Sequence, residues 1–226
     1  MPKLLALIAG IAVLIPTIVE SADRIDPYPL DTCAVAKRSK LGSMGDPIIK
    51  VVDGREYRLC CAKCEGKLTK KTAEVAKSVD ARIIEMQKAS YPLTTCIVSG
   101  EALGDDAVDF VVGNTMMRAC CNNCARKVKA KPENYLAKLD QAIIAAQAKD
   151  YPLTTCAVSG EDLAGRKAAD VLVGNRLVRI CCKGCKRGLK KDPAAVLAAV
   201  EAGWAAKKKE KGEKPKEKKE TTKKKG

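Results

Sequence analysis

The chain contains no histidine, and its 226 residues include one Phe, one Trp and five Tyr. Without histidine, sulfur is the only soft metal ligand on offer. With so few aromatics, no large apolar core is available. Long apolar runs are scarce as well. Residues 4–19 form the main one, broken by Gly10, Pro16 and Thr17, and it is short for a membrane span of about 20 residues. Lys3 precedes this run, and Val19 and Ser21 are small enough to stand before a cleavage site. Residues 1–21 therefore read as an export signal cut near Ser21–Ala22, with a retained anchor as the alternative. Export places the rest of the chain in a periplasmic or secreted setting, where disulfides become possible.

Twelve cysteines are present, and all of them obey one rule. Three segments, YPLDTC, YPLTTC and YPLTTC, place Cys33, Cys96 and Cys156. Three later segments, CCAKC, CCNNC and CCKGC, place Cys60, Cys61 and Cys64, then Cys120, Cys121 and Cys124, then Cys181, Cys182 and Cys185. The period is 63 residues from Cys33 to Cys96 and 60 from Cys96 to Cys156, which indicates tandem modules rather than one large core. The divisions fall at 28–90, 91–150 and 151–206. Modules of this size usually add disulfides or a structural metal to a core that cannot hold them alone.

Within the second module, Val108, Phe110 and Val112 alternate with Asp109 and Val111, the period of a half-buried strand. Gly113-Asn114 is a hairpin turn signal, and Thr115 to Ala119 returns the chain to Cys120. Asp53-Gly54 and Gly174-Asn175 hold the same place in the other copies. A helix is expected to begin at each CC pair. Pro132 and Pro193 mark the first turn of a second helix. Its apolar face is Val75, Val79 and Ile83 in the first module, Leu136, Leu139 and Ile143 in the second, and Leu197, Val200 and Trp204 in the third. Pro92 and Pro152 require those helices to end before the following module. The expected fold is α+β: three small treble-clef-like modules of turn, hairpin and helix, joined stiffly by helices.

A turn cysteine, a hairpin and CxxC at a helix start form the layout of a treble-clef zinc site. The helix N-terminus favours thiolates. The second turn ligand of such a site is replaced here by Ser99, Ser159 and, in the first copy, Ala36. Each module has instead an extra cysteine: Cys60, Cys120 or Cys181.

The modules resemble the TRASH and YHS group of small heavy-metal-binding domains. The matching features are Cys96, the C-x3-C pair Cys120 and Cys124, the apolar Val128 and the helix start around Pro132. Module three matches through Cys156, Cys181, Cys185, Leu189 and Pro193. Module one matches through Cys33, Cys60, Cys64 and Leu68, without the proline. The resemblance spans residues 28–206. It departs from the family in a longer gap, in the absent YHS histidine, and in the additional Cys61, Cys121 and Cys182. It implies metal sensing, delivery or sequestration, without fixing the metal.

Spacing leaves two trios open in module two: Cys96, Cys120 and Cys124, or Cys96, Cys121 and Cys124. Four sulfurs form a closed tetrahedral site suited to zinc. Three form an open site suited to Cu(I), and either set excludes magnesium and calcium. About one ion per module is expected. The alternative is a disulfide-stapled repeat without metal, since the count is even and the modules small. Thiol–disulfide exchange lacks the βαβ setting it usually needs. Arg58, Arg118 and Arg179 stand two residues before each CC pair, positioned either to offset thiolate charge or to face solvent. Glu101 and Glu161 read as turn residues. No recurring acid–base constellation accompanies the cysteines, so a non-enzymatic role is expected.

The net charge is +15. Residues 207–226 hold eleven Lys and four Glu, with Pro215 as the only apolar residue. This composition reads as a disordered tail. It can contact an anionic surface, but it has no aromatics to stack on nucleic-acid bases.

Overall fold

A computed structural model of the chain describes residues 22–212. The expected leader, 1–21, and the tail beyond 212 lie outside the described residues. The chain is α+β. One strand, β1 (Asp23–Ile25), precedes a succession that occurs three times. The first is β2 (Ile48–Val52), β3 (Arg55–Leu59), α1 (Ala62–Lys70) and α2 (Thr72–Lys88). The second is β4 (Val108–Val112), β5 (Thr115–Ala119), α3 (Asn122–Ala130) and α4 (Glu133–Gln147). The third is β6 (Ala169–Val173), β7 (Arg176–Ile180), α5 (Lys183–Lys191) and α6 (Pro193–Gly212).

Each strand pair is an antiparallel hairpin closed by the expected two residues. The turns are of two kinds. Asp53 and Gly54 both have positive φ (50° and 76°), whereas in the other copies only the glycines do, Gly113 at 58° and Gly174 at 55°. Two positive φ values define a type I′ turn; a glycine at the first central position suits type II′. Asn114 and Asn175 are thereby freed from turn-making, and both are buried.

The first helix of each module begins one residue after its CC pair, with Cys61, Cys121 and Cys182 as extended N-cap residues. The second helix presents the expected stripe: Val75, Val79 and Ile83 are buried in α2, Leu139 and Ile143 in α4, and Leu197 and Val200 in α6. Each such side chain contributes roughly 1.5–3 kcal/mol by burial. Leu136 and Trp204 pack at the margin.

One more helical turn along the stripe stand Gln87 and Gln147, buried and polar. They tie each helix to the next hairpin. The Gln87 amide donates to the Asn114 carbonyl at 2.9 Å and accepts from the Met116 N–H at 2.8 Å. Gln147 does the same with the Asn175 carbonyl (2.8 Å) and the Leu177 N–H (3.1 Å). The turn asparagines complete the joint: Asn114 donates to the Glu56 carbonyl and Asn175 to the Met116 carbonyl, each at 3.1 Å.

The modules therefore do not keep separate cores. One apolar cluster runs through modules two and three; the other belongs to module one and takes in Met116 of module two. The array is also tied end to end. β1 adds as a parallel strand to β6, giving the order β1-β6-β7. Arg24 on β1 reaches Asp140 of α4 (2.6 Å) and Thr115 of β5 (2.9 Å). Arg58 of module one donates to the carbonyls of Lys190 and Lys191 at the end of α5.

The expected boundary of the tail moves. α6 continues to Gly212, so residues 207–212 are helical rather than disordered. Ala and Lys propagate a helix well, and Lys207 donates to the Asp150 carbonyl at 2.6 Å. Among the described residues, no helix is long and apolar enough to cross a membrane.

Candidate metal centres

The early cysteine of each module sits in a tight turn. Its own N–H donates forward, from Cys33 to the Ser39 carbonyl (2.9 Å), from Cys96 to that of Glu101 and from Cys156 to that of Glu161 (both 2.7 Å). In modules one and three the next residue docks this turn on the return strand. Ala34 N–H donates to the Arg58 carbonyl at 2.9 Å and Ala157 N–H to that of Arg179 at 3.1 Å. Those arginines stand two residues before the CC pair, so the dock brings the early sulfur to the strand-to-helix corner.

Three sulfurs converge there in every module. Cys33, Cys60 and Cys64 form one group, Cys96, Cys120 and Cys124 a second, and Cys156, Cys181 and Cys185 a third, with the sulfurs of each group within 4.8 Å of one another. The pairs on the corner are closer: Cys60–Cys64 at 3.7 Å, Cys120–Cys124 at 3.8 Å and Cys181–Cys185 at 3.5 Å. Two thiolates about 2.3 Å from one tetrahedral ion stand roughly 3.8 Å apart, so the spacing fits a common ion. Of the two trios left open by spacing, the structure assembles the one with the first cysteine of the CC pair. Cys61, Cys121 and Cys182 stay outside the grouped trios, although Cys61 lies 3.8 Å from Cys64 and Cys182 lies 3.6 Å from Cys185. All twelve cysteines are free, so the structure does not adopt the cystine scaffold.

The thiols of a group are not alike. Burial pushes Cys96 up, but the hydroxyl and N–H of Ser99, with the N–H groups of Cys120 and Val98, outweigh it and bring the pKa to about 6. Cys156 is likewise raised by burial and then brought to about 6 by Ser159 and the N–H groups of Cys181 and Val158. Cys33 has Ala36 in place of serine. Burial raises it, and the N–H groups of Ala36, Cys60 and Val35 hold it below the ordinary thiol range. The Ala36 N–H lies 3.3 Å from its sulfur. The corner cysteines move the other way. Ser99 lowers Cys120, but burial and the Cys96, Glu101 and Cys124 side chains carry it up to about 12. Burial, then Cys181, Cys182 and Cys156, pushes Cys185 up to about 12. In modules two and three the metal-free cluster thus pairs a ready thiolate with thiols that must lose protons when an ion enters.

Burial separates the sites. All three sulfurs of module one are buried, whereas Cys120 and Cys181 are half-buried. Oxygen atoms accompany the more open pair. Ser99 Oγ lies 3.5 Å from Cys120 Sγ, Ser159 Oγ lies 3.5 Å from Cys181 Sγ, and Glu161 Oε2 is also 3.5 Å from Cys181 Sγ. Glu161 is the exposed turn residue that the sequence predicts, and the same Oε2 also accepts from Arg166 at 2.8 Å. The signal that marks it is the S-G-E following CIV and CAV in modules two and three only.

The three arginines neither bond to the sulfurs nor simply face solvent. Arg118 pairs with Asp109 across β4–β5 at 2.7 Å, and Arg179 with Asp170 across β6–β7 at 3.0 Å. The partner of Arg58 in register is Ile49, so its guanidinium turns to Glu56 at 2.9 Å and to the α5 carbonyls.

Comparison with protein-family models, with curated proteins and with solved structures finds no match for the chain.

Proposed function

We propose that this is an exported, non-enzymatic protein that buffers or carries soft metal ions, one in each of three modules. The observation that carries this reading is the threefold recurrence of a sulfur triad of metal-binding size, and the three remaining cysteines each stand next to one of its members in sequence. The turn, hairpin and helix-start arrangement is what a treble clef of the TRASH and YHS kind would use, and this likeness supports the reading. Three thiolates without a fourth grouped sulfur favour Cu(I). The predicted signal places the protein outside the cytoplasm; a cut near Ser21–Ala22 would leave β1 whole, since it begins at Asp23. The Lys-rich end supplies a contact for anionic surfaces.

Elemental analysis and thiol titration of anaerobically purified protein test the proposal. About three ions per chain, with free thiols after denaturation and chelation, are expected. Protein without metal-binding capacity and with its cysteines oxidised in pairs would establish the disulfide repeat instead.

A second reading rests on the oxygen atoms beside Cys120 and Cys181. With Glu101 or Glu161 as a fourth ligand, modules two and three would take zinc in a tetrahedral site. X-ray absorption at the bound metal decides between them: sulfur-only scattering supports Cu(I), and mixed sulfur and oxygen supports zinc.

A further inference from the structure

The fourth cysteine of each module has no place in the triad, yet it stands beside it at the start of a helix. In module one its neighbourhood is complete. Cys61 Sγ lies 3.9 Å from Cys60 Sγ and 3.8 Å from Cys64 Sγ, and those two are 3.7 Å apart. These three sulfurs make a second triangle of metal-binding size, as judged by the roughly 3.8 Å edge of a thiolate site. It shares the Cys60–Cys64 edge with the triad of Cys33, Cys60 and Cys64.

The two triangles differ in depth. Cys33 is fully buried at 0% exposure, and Cys60 and Cys64 are buried at 6%. Cys61 is half-exposed, and its counterparts Cys121 and Cys182 are exposed. In module three, a solvent cavity of about 900 Å³ is lined by Cys181 and Cys182 but not by Cys156 or Cys185. An ion arriving from solvent therefore meets the outer sulfur of the CC pair first.

We propose that Cys61 is a transfer ligand, and that Cys182, 3.6 Å from Cys185, and Cys121 are its counterparts by their matching place in the repeat: each receives the ion in an outer site and hands it to the buried triad through the two shared sulfurs. This rests on the metal-binding reading above and adds a route to it. The ion moves across the shared edge, keeping its bonds to Cys60 and Cys64. The bond to Cys61 breaks as the bond to Cys33 forms. Where Cys33 still carries a proton, it gives that proton up as Cys61 takes one, so no charge accumulates. At no point is the ion released to water, and a donor needs to reach only the exposed sulfur.

The test compares the full chain with the triple variant Cys61→Ser, Cys121→Ser and Cys182→Ser. Serine is a favoured helix N-cap, so α1, α3 and α5 are preserved. The probe is Cu(I) presented anaerobically as its bicinchoninate complex, followed by loss of the complex's colour. Both proteins should take up the same amount at equilibrium, about one ion per triad. The variant should do so about tenfold more slowly, equivalent to ~1.4 kcal/mol on the transfer barrier. Cys61→Ser alone should slow only the share of uptake that belongs to module one. Equal rates would overturn the proposal. A reduced capacity in the variant would also overturn it, by making the fourth cysteine a resident ligand. A wild-type chain that takes up no Cu(I) would instead overturn the metal-binding reading itself.

Discussion

Each sulfur acquires its role from the few atoms around it. Cys120 and Cys121 are neighbours in sequence, yet only Cys120 joins Cys96 and Cys124. Cys120→Ser should lower the capacity for soft metal by about one ion per chain, a third of the expected total for one ion per module. Cys121→Ser should leave capacity unchanged; elemental analysis of the two variants is decisive. Ser99 is the main agent that lowers Cys96. Ser99→Ala should raise the Cys96 thiol towards its ordinary value, measured by the pH dependence of thiolate absorbance in metal-free protein. The same depression sets a pH profile for stability. A thiol whose folded pKa is about 6 against an ordinary thiol value of 9.0 stabilises the folded state fully above about 9. That contribution declines as pH falls and is gone below about 6. Cys120 and Cys185, raised to about 12, act in the opposite sense above 9. Metal-free protein should therefore become more stable from pH 6 to 9 and less stable beyond, as urea unfolding would report. A flat profile across pH 6 to 9 would contradict the assignment of Cys96 and Cys156.

The joint between modules is decided at the level of helix and hairpin. Gln87 and Gln147 sit where an apolar residue would continue the stripe of Ile83 and Ile143. Each answers one N–H and one carbonyl of the hairpin that follows. Removing the side chain strands both backbone groups in a buried place. With about 1–3 kcal/mol for each unsatisfied group, Gln147→Ala should cost roughly 2–6 kcal/mol in denaturant unfolding. A loss below about 0.5 kcal/mol would show that water replaces the amide at little cost. Helix periodicity identified the stripe, but it marks apolar positions and passes over a polar residue on the same face. The hairpins were legible from Gly113-Asn114 and its counterparts because turn chemistry is local. What lay beyond local chemistry was the second use of Asn114 and Asn175, as donors into the preceding module.

At the scale of the whole molecule, the array is held by its ends as well as its joints. β1 covers the edge of β6, and Arg58 joins module one to the end of α5. Arg58 is 4% exposed, so Arg58→Ala strips the Lys190 and Lys191 carbonyls and Glu56 of their shared partner. Loss of such a buried charged donor should cost about 3–5 kcal/mol. Hydrogen exchange should rise at the end of α5 as well as in β3, although the two lie far apart in sequence. Exchange confined to β3 would show that modules one and three are not coupled through this contact.

Composition and cysteine spacing set the chemistry and the repeating unit. The absence of histidine left sulfur as the only soft ligand, and the cysteine spacing defined three copies with a strand-to-helix corner in each. Those features are local, written in turn residues, helix starts and periodicity. The tertiary structure decided which three sulfurs meet: the early turn, docked on the return strand in modules one and three, aims its sulfur at the first cysteine of the pair, and the same trio assembles in module two. It also decided that the modules share cores, and that residues 23–25, which carry no sequence signal of their own, serve as a strand for module three. Contacts between residues more than a hundred positions apart, such as Arg24 with Asp140 and Arg58 with Lys191, depend on how whole modules stack, and no short pattern in the chain records that.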